Sequence, residues 1–290
     1  MPRPKILVQL DSDAQASVFD AVVAVDAGVD QLLQYRAVDA GSVRALVHGA
    51  IFTRGMADLH HTAIFVGGSD VTTGETLLQE VRRSFFGPMR VSVLFDANGA
   101  NTTAVAAVLV ARRHVELAGA TATVLAGTGP VGQRTARLLA RAGAHVRVAS
   151  RRLDRASATC TQIRQAVADA QLVPYATSTS DETARAIDGC DILVAAGAAG
   201  VELVPADLWQ SHVRARVAID LNAVPPAGLP GVEPHDKAIE RDGTICYGAI
   251  GTGGLKMKIH KAAIRSLFET NDRWFDADEL YQLGCSLDSE

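Results

Sequence analysis

The chain has 290 residues, 48% of them hydrophobic and 21% charged, with a net charge of −4. That composition excludes an intrinsically disordered chain, and basic residues this dispersed exclude the massed positive surface of a nucleic-acid binder. At roughly 100–200 residues per domain, the length corresponds to about two domains.

Short apolar runs alternate with helical patterns along the whole chain. The first part predicts strands over 5–10, 31–35, 62–66 and 91–96, and helices over 18–27, 43–48, 72–85 and 102–117. The second part predicts strands over 121–126, 145–149, 172–175, 191–196, 217–221 and 245–248, with helices over 130–142, 153–168 and 182–187. The Pro/Gly-rich stretch 223–234 reads as irregular. A flexible glycine loop, 251–254, then leads into helices over 256–268 and 276–283, with no further strand expected. Such alternation predicts an α/β fold of parallel sheets covered by helices.

The four cysteines, Cys160, Cys190, Cys246 and Cys285, lie far apart with no CxxC pair, which argues against a disulfide framework or a metal cluster. The first apolar run ends at Asp11, too short for a signal segment, and 104–111 falls short of the ~20 residues of a membrane span. The expectation is a cytoplasmic protein with no metal, membrane or nucleic-acid partner.

One segment carries a specific signal. A β-branched strand runs into Gly127-Thr128-Gly129-Pro130-Val131-Gly132 and then into a helix. This is the strand, G-x-G-x-x-G, helix context of a dinucleotide fingerprint, and it predicts a Rossmann domain. Gly127 permits the tight turn, Gly129 the approach of a pyrophosphate, and Gly132 close helix–strand packing. Pro130 suits the first helical turn. The alternative is a glycine turn without a ligand.

The next strand ends in Ser150-Arg151-Arg152, with no carboxylate before Asp154. An acidic residue there would bind the ribose 2′-hydroxyl of NAD, whereas guanidinium groups bind a 2′-phosphate. NADP is therefore the expected cofactor. The alternative reading of the two arginines is a solvated helix start, which the helix dipole disfavours.

Polar clusters follow several first-half strands. The densest contains Asp96, Asn98, Asn101, Thr102 and Thr103, enough hydrogen-bonding groups for a polar heterocycle; helix capping is the alternative for any one of them. Lys256 and His260 are four residues apart and share one helical face. Lys256 is a candidate for reaching a cleft, against the common alternative of a snorkelling surface lysine. No HExxH, GxSxG, Walker A or cysteine-nucleophile pattern is present. With no acid–base residue standing out, a substrate that loses only a hydride fits better than an alcohol.

The sequence resembles NADP-dependent methylene-tetrahydromethanopterin dehydrogenases. The resemblance rests on Ile51-Phe-Thr-Arg-Gly, Thr62-Ala-Ile-Phe-Val-Gly-Gly, Phe86-Gly-Pro, Asp96-Ala-Asn-Gly-Ala-Asn-Thr-Thr, Val124 through Gly132, Asn222-Ala-Val-Pro-Pro-Ala-Gly and Gly253-Gly-Leu-Lys-Met-Lys. It runs from about Ile6 to Tyr281 and is nearer the strictly NADP-dependent branch, some members of which also accept methylene-tetrahydrofolate. It implies oxidation of a methylene bridge between two nitrogens to a methenyl group, with hydride passing to NADP. No cyclohydrolase step is expected, because the first-domain lysine that serves it in two-activity folate enzymes has no counterpart between Lys5 and Lys237.

The implied domains are a pterin-binding α/β domain (1–103), a Rossmann NADP-binding domain (104–254), and C-terminal helices (255–290) packing back on the first. The resemblance places Lys256 in the active site, where it should contact a pterin oxygen or aryl-linked nitrogen, or sit uncharged. It adds Ala196, Asn222 and Gly251 to the cofactor contacts. It puts Asp20, Asp96, Asn98, Thr102, Gly253, Gly254 and His260 against the substrate, a tetrahydromethanopterin or tetrahydrofolate carrier. A homo-oligomer, trimer or hexamer, is expected.

The sequence departs from this pattern at 56–61 (Met-Ala-Asp-Leu-His-His in place of a basic segment) and at the Ser-Arg-Arg turn, where Gly-Arg-Lys is expected. Two rivals remain. A shikimate-dehydrogenase-type oxidoreductase would need a first-domain lysine, but Lys5 is the only lysine before Lys237 and opens a strand. A non-catalytic NADP-binding regulator would have no need of the polar clusters.

Overall fold

The computed structural model describes residues 3–288, with only the backbone at His212. In chain order the elements are β1 (Ile6–Leu10), α1 (Val18–Asp26), β2 (Gln31–Tyr35), α2 (Val43–Phe52), β3 (Thr62–Val66), α3 (Val71–Arg83), β4 (Ser92–Phe95) and α4 (Ala100–Arg112). There follow β5 (Thr121–Leu125), α5 (Pro130–Arg141), β6 (His145–Ser150), α6 (Leu153–Ala166), β7 (Leu172–Ala176), α7 (Ser180–Ile187) and β8 (Ile192–Ala195). The chain continues through α8 (Ala206–His212), β9 (Val217–Asp220), β10 (Lys237–Arg241) and β11 (Thr244–Tyr247). It closes with α9 (Ala249–Ser266), β12 (Trp274–Phe275) and α10 (Ala277–Asp288). Of the described residues, 3–102 and 257–288 form one compact unit, and 103–256 a second.

The first unit holds a five-stranded sheet in the order β12-β4-β3-β1-β2, parallel throughout. Its inner strand β3 is buried at every position, as expected for a parallel strand covered on both faces. The edge strand β2 is mostly exposed. Helix starts are set locally. Ser17 Oγ accepts from Asp20 N at 3.2 Å to open α1, and Asp70 Oδ1 accepts from Thr73 N at 2.6 Å to open α3.

The second unit holds a seven-stranded sheet, β10-β11-β9-β8-β5-β6-β7, in which only β10 runs antiparallel to its neighbour. The α7 helix opens with a capping box between Thr179 and Glu182. The apolar stretch Ala104 to Ala111 is buried inside α4, which accounts for its lack of a polar face.

Four expectations need correction. The predicted helix 102–117 ends at Arg112, because Val115 and Leu117 bury their side chains from a turn and so extend the apolar pattern. The strand β10 and the short helix α8 were not expected from the sequence pattern. A strand does follow glycines 251–254: β12, only two residues long, pairs with β4 in the register Trp274↔Val93. The glycine loop at 251–254 is helical, since α9 starts at Ala249 and runs unbroken through it.

Candidate active site

The nucleotide cradle is built where β5 turns into α5. Ala126 turns the chain with φ of 52°, and Gly127 N donates to Ala149 O at 2.8 Å, tying the turn to β6. A Cβ on Gly132 would lie 2.6 Å from Ala126 O and 2.8 Å from Gly127 Cα, so only glycine lets the helix approach the turn this closely. Gly129 is the N-cap of α5 with no side-chain cap, and Pro130 follows at the first helical position. First-turn N–H groups lack intrahelical partners, and the helix dipole adds positive potential, so this end suits a pyrophosphate. Thr128 borders the turn, its Oγ1 3.4 Å from Ser150 Oγ and its carbonyl accepting from Gln133 Nε2 at 2.7 Å. Val131 lies in the same first turn of α5. The residues present therefore fit a dinucleotide.

At the end of β6, Ser150 is buried and Arg151 and Arg152 are exposed. Arg152 is the N-cap of α6 and pairs with Asp154, Nε to Oδ1 at 3.0 Å together with a second guanidinium contact to Oδ2. This pairing raises the Arg152 guanidinium and holds the Asp154 carboxyl below its usual range. Arg151 has no hydrogen-bond or ion-pair partner among the described residues, so its five donors face solvent.

Two further expected cofactor positions lie at the carboxyl end of the same sheet. Ala196 follows β8 and donates its N–H to Leu125 O at 3.1 Å. Asn222 follows β9 and organises the next turn: its Nδ2 donates to Pro226 O at 2.9 Å, and its Oδ1 accepts from Val224 N at 2.9 Å. Beneath it, Asp220 is buried and accepts from Asn222 N and Leu229 N at 3.0 and 2.9 Å. Burial pushes the Asp220 carboxyl up, outweighing those hydrogen bonds.

In the first unit the polar cluster after β4 is tightly organised. Asp96 is fully buried; its Oδ1 accepts from Asn101 N and Thr102 N at 2.9 and 3.0 Å, and its Oδ2 from Thr102 Oγ1 at 2.6 Å. Asn98 is exposed, with a left-handed φ of 53° that suits asparagine. His260, on α9, is buried with Nδ1 4.0 Å from Asp96 Oδ2, and its ring stacks on Phe65 at 5.7 Å. The structure thus brings Asp96, Thr102 and His260 together. Asp20 is in the first turn of α1, half-buried.

The remaining expected residues lie on α9. Ala249, Thr252, Gly253 and Lys256 share one helical face and, with Thr103 of α4 and Leu221 after β9, line a hollow in the second unit. Gly251 is half-buried and Gly254 exposed on the same helix. Lys256 is the only titratable side chain among those lining residues. Thr103, the last residue of the sequence cluster that begins at Asp96, lines this hollow, while Leu221 and Thr252 carry no sequence pattern that singles them out.

Comparison with known proteins gives matches along nearly all the chain. A family model described as methylene-tetrahydromethanopterin dehydrogenase, N-terminal, matches residues 18–98, and one described as putative NAD(P)-binding matches 114–216. The bifunctional protein MdtA of Methylorubrum extorquens is 44% identical over 98% of this chain and 99% of its own length. The chain belongs to the methylene-tetrahydromethanopterin dehydrogenase family.

A second member from the same organism, an NAD(P)-dependent methylenetetrahydromethanopterin dehydrogenase, is 30% identical over 97% of this chain and 98% of its own. As a member of this dehydrogenase family the protein is an oxidoreductase, and its second unit has the NAD(P)-binding fold. Among solved structures, shikimate 5-dehydrogenase from Listeria monocytogenes aligns with a TM-score of 0.58 at 13% identity, covering 97% of this chain and 96% of that one. 5-Ketofructose reductase of Gluconobacter sp. aligns with a TM-score of 0.55 at 18% identity, covering 98% and 99%. Identities this low establish a shared fold and nothing about chemistry. Among the described residues no group of His, Cys, Asp or Glu side chains is placed to hold a metal ion, and no helix is long and apolar enough to cross a membrane.

Proposed function

We propose that this protein oxidises methylene-tetrahydromethanopterin to the methenyl form with NADP as hydride acceptor, and that methylene-tetrahydrofolate is an alternative substrate. The observation that carries this reading is the hollow at the sheet's carboxyl end, whose only titratable lining side chain is Lys256. A methylene carbon between two nitrogens loses a hydride without any proton transfer, because the nitrogen lone pairs take up the positive charge. A hollow whose own lining holds no acid–base pair suits that reaction better than it suits an alcohol. The bound cofactor supplies the carbon that accepts the hydride.

The chain's own residues then have three tasks. The Gly127–Gly132 turn and the first turn of α5 hold the pyrophosphate. Arg151, with Arg152 and Ser150 beside it, selects the 2′-phosphate. Lys256 positions the pterin through an oxygen or aryl-linked nitrogen, at a distance from the carbon that becomes cationic, so that its own charge does not oppose the reaction. Orientation of the two reactants supplies most of the acceleration. Asp96, Asn98, Thr102 and His260, with Asp20, are read as the pterin-facing set, and Ala196, Asn222 and Gly251 as further cofactor contacts.

We read no cyclohydrolase step, since hydrolysis of the methenyl product needs an activated water and a proton donor. The name of the 44% identical relative announces two activities of that protein; acceptance of two pterins is the pairing we favour here. A shikimate-type reaction would need a lysine at the carboxyl end of a first-unit strand. Lys5 instead precedes the amino end of β1, with its Nζ 5.8 Å from the Phe268 ring centroid. We place the protein in the cytoplasm, where buried free thiols such as Cys160, Cys190 and Cys246 are in keeping with a reducing compartment. A homo-oligomer is supported by the exposed apolar side chains Val18, Val22 and Val25 along α1.

The deciding experiment is a spectrophotometric assay of purified protein with NADP or NAD and each methylene-pterin, followed by incubation with each methenyl-pterin. The reading requires NADP reduction with at least the methanopterin substrate and methenyl decay at the spontaneous rate. No reduction with either pterin overturns it.

A further inference from the structure

Thr252, like Thr159 of α6, departs from the usual habit of a helical threonine, and of the two only its hydroxyl oxygen is fully buried without a partner among the described residues. A threonine inside a helix has a partner at hand, the carbonyl four residues back. Thr76, Thr135, Thr161 and Thr183 all use it, with Oγ1 donating to Thr72 O, Val131 O, Ser157 O and Thr179 O at 2.9–3.1 Å. Thr252 does not. Its residue is 2% exposed, its backbone N–H donates normally to Gly248 O at 2.9 Å, and its hydroxyl has no hydrogen-bond partner among the described residues. A buried hydroxyl left without a partner destabilises the fold, so its persistence calls for a ligand that satisfies it.

The place of Thr252 says which ligand. It lines the hollow with Leu221, Gly253 and Lys256, and at the adjoining Gly253 a Cβ would meet nothing within 4 Å. Leu221 directly follows β9, and the sheet order β9-β8-β5-β6 places it on the opposite side of the pyrophosphate turn from Ser150–Arg152. A dinucleotide whose pyrophosphate lies at the end of β5 and whose 2′-phosphate lies at the end of β6 must send its other half over β8 and β9. Those ends lie roughly 5 and 10 Å away from β5. That half is the nicotinamide riboside.

We infer that the Thr252 hydroxyl binds the carboxamide of the nicotinamide ring. The carboxamide offers both a carbonyl acceptor and an N–H donor, and a hydroxyl complements either. The bond fixes the ring's rotation about its glycosidic link and so decides which face is presented to the side of the hollow that holds Lys256. This inference rests on the reading of the second unit as NADP-binding.

The test is calorimetric titration of the wild type, Thr252→Val and Thr252→Ser with two ligands: NADP, and 2′-phospho-ADP-ribose, which lacks only the nicotinamide. Valine keeps the shape of threonine without the hydroxyl. Thr252→Val should weaken NADP about three- to tenfold and leave 2′-phospho-ADP-ribose within twofold, while Thr252→Ser restores NADP. Ligand-free Thr252→Val should melt no lower than the wild type, since it removes an unsatisfied buried group. Equal weakening of both ligands, unchanged NADP binding, or a lower ligand-free melting temperature overturns the assignment of Thr252. Failure of the wild-type chain to bind either ligand overturns the nucleotide reading itself, and the assignment with it.

Discussion

Gly251→Ala and Gly254→Ala should move the protein's stability in opposite directions. The two glycines are three residues apart on α9, yet their surroundings differ. A Cβ on Gly251 would lie 1.8 Å from Asp236 O and 2.6 Å from Asp236 C, both backbone atoms. That peptide is poorly able to yield. Asp236 O accepts from Gly248 N at 2.9 Å, Asp236 Oδ2 from Glu233 N at 2.7 Å, and Asp236 Oδ1 from Arg241 at 3.0 Å. The helix start must therefore move by more than an ångström, at about 3 kcal/mol, the upper end of ordinary overpacking costs. For a unit of this size that corresponds to roughly 6–12 °C in melting temperature. A Cβ on Gly254 would meet nothing within 4 Å, and the residue is exposed in a helix interior. There alanine should stabilise by about 0.5–1 kcal/mol, a gain of roughly 1–4 °C. Differential scanning calorimetry of the ligand-free variants distinguishes the two. A flexible loop would tolerate alanine at both positions; a Gly251→Ala melt within 2 °C of wild type would refute the packing argument.

Three other expectations follow from the structure. Arg151→Ala should weaken NADP about ten- to hundredfold with NAD unchanged, whereas Asp154→Asn, by freeing Arg152, should tighten NADP a few-fold; binding titrations that show the reverse order remove the 2′-phosphate from this turn. Lys256→Ala should lower kcat about 10²-fold with little change in NADP affinity. Lys258→Ala, which loses only the Nζ hydrogen bond to Leu287 O at 2.7 Å near the end of α10, should keep near-normal kcat, and normal turnover by Lys256→Ala would end its assignment. His114 is held below its ordinary value by burial and by Arg113, with Nε2 2.8 Å from Tyr247 Oη. The unfolded chain therefore takes up that proton first as pH falls through about 6.5, and stability is lost below that pH and level above it. His114→Gln should flatten this part of the melting profile, and an unchanged acid slope would count against it.

Much of the fold is legible in the residues. The alternating strands and helices, the β5–α5 glycine turn and the Ser150–Arg152 segment all carry local patterns that tertiary packing reinforces. The failures share a cause, which is that the deciding partner lies far away in sequence. Glycines 251, 253 and 254 read as a loop because glycine is a poor helix former, yet Gly251 is required by a peptide at Asp236. Trp274 and Phe275 are too few to show a strand period, and only the edge of β4 makes them one. Asp96 and Thr102 were visible as a polar cluster, but not their direct hydrogen bond. The hydroxyl of Thr252 had no sequence signal at all.

The pairing of β12 with β4 also sets an order of assembly during synthesis. Residues 103–256 form a unit contiguous in sequence, so it has all its strands as soon as it emerges. The first sheet does not. Ser92 waits for Thr270, whose carbonyl accepts its hydroxyl at 2.8 Å, and Val93 N waits for the carbonyl of Arg273 at 2.8 Å. Until the last part of the chain leaves the ribosome, β4 presents an open parallel edge of the kind that recruits foreign strands. Nascent chains stalled after residue 256 should therefore be the aggregation-prone species, with a finished nucleotide half tethered to a sheet still missing its border.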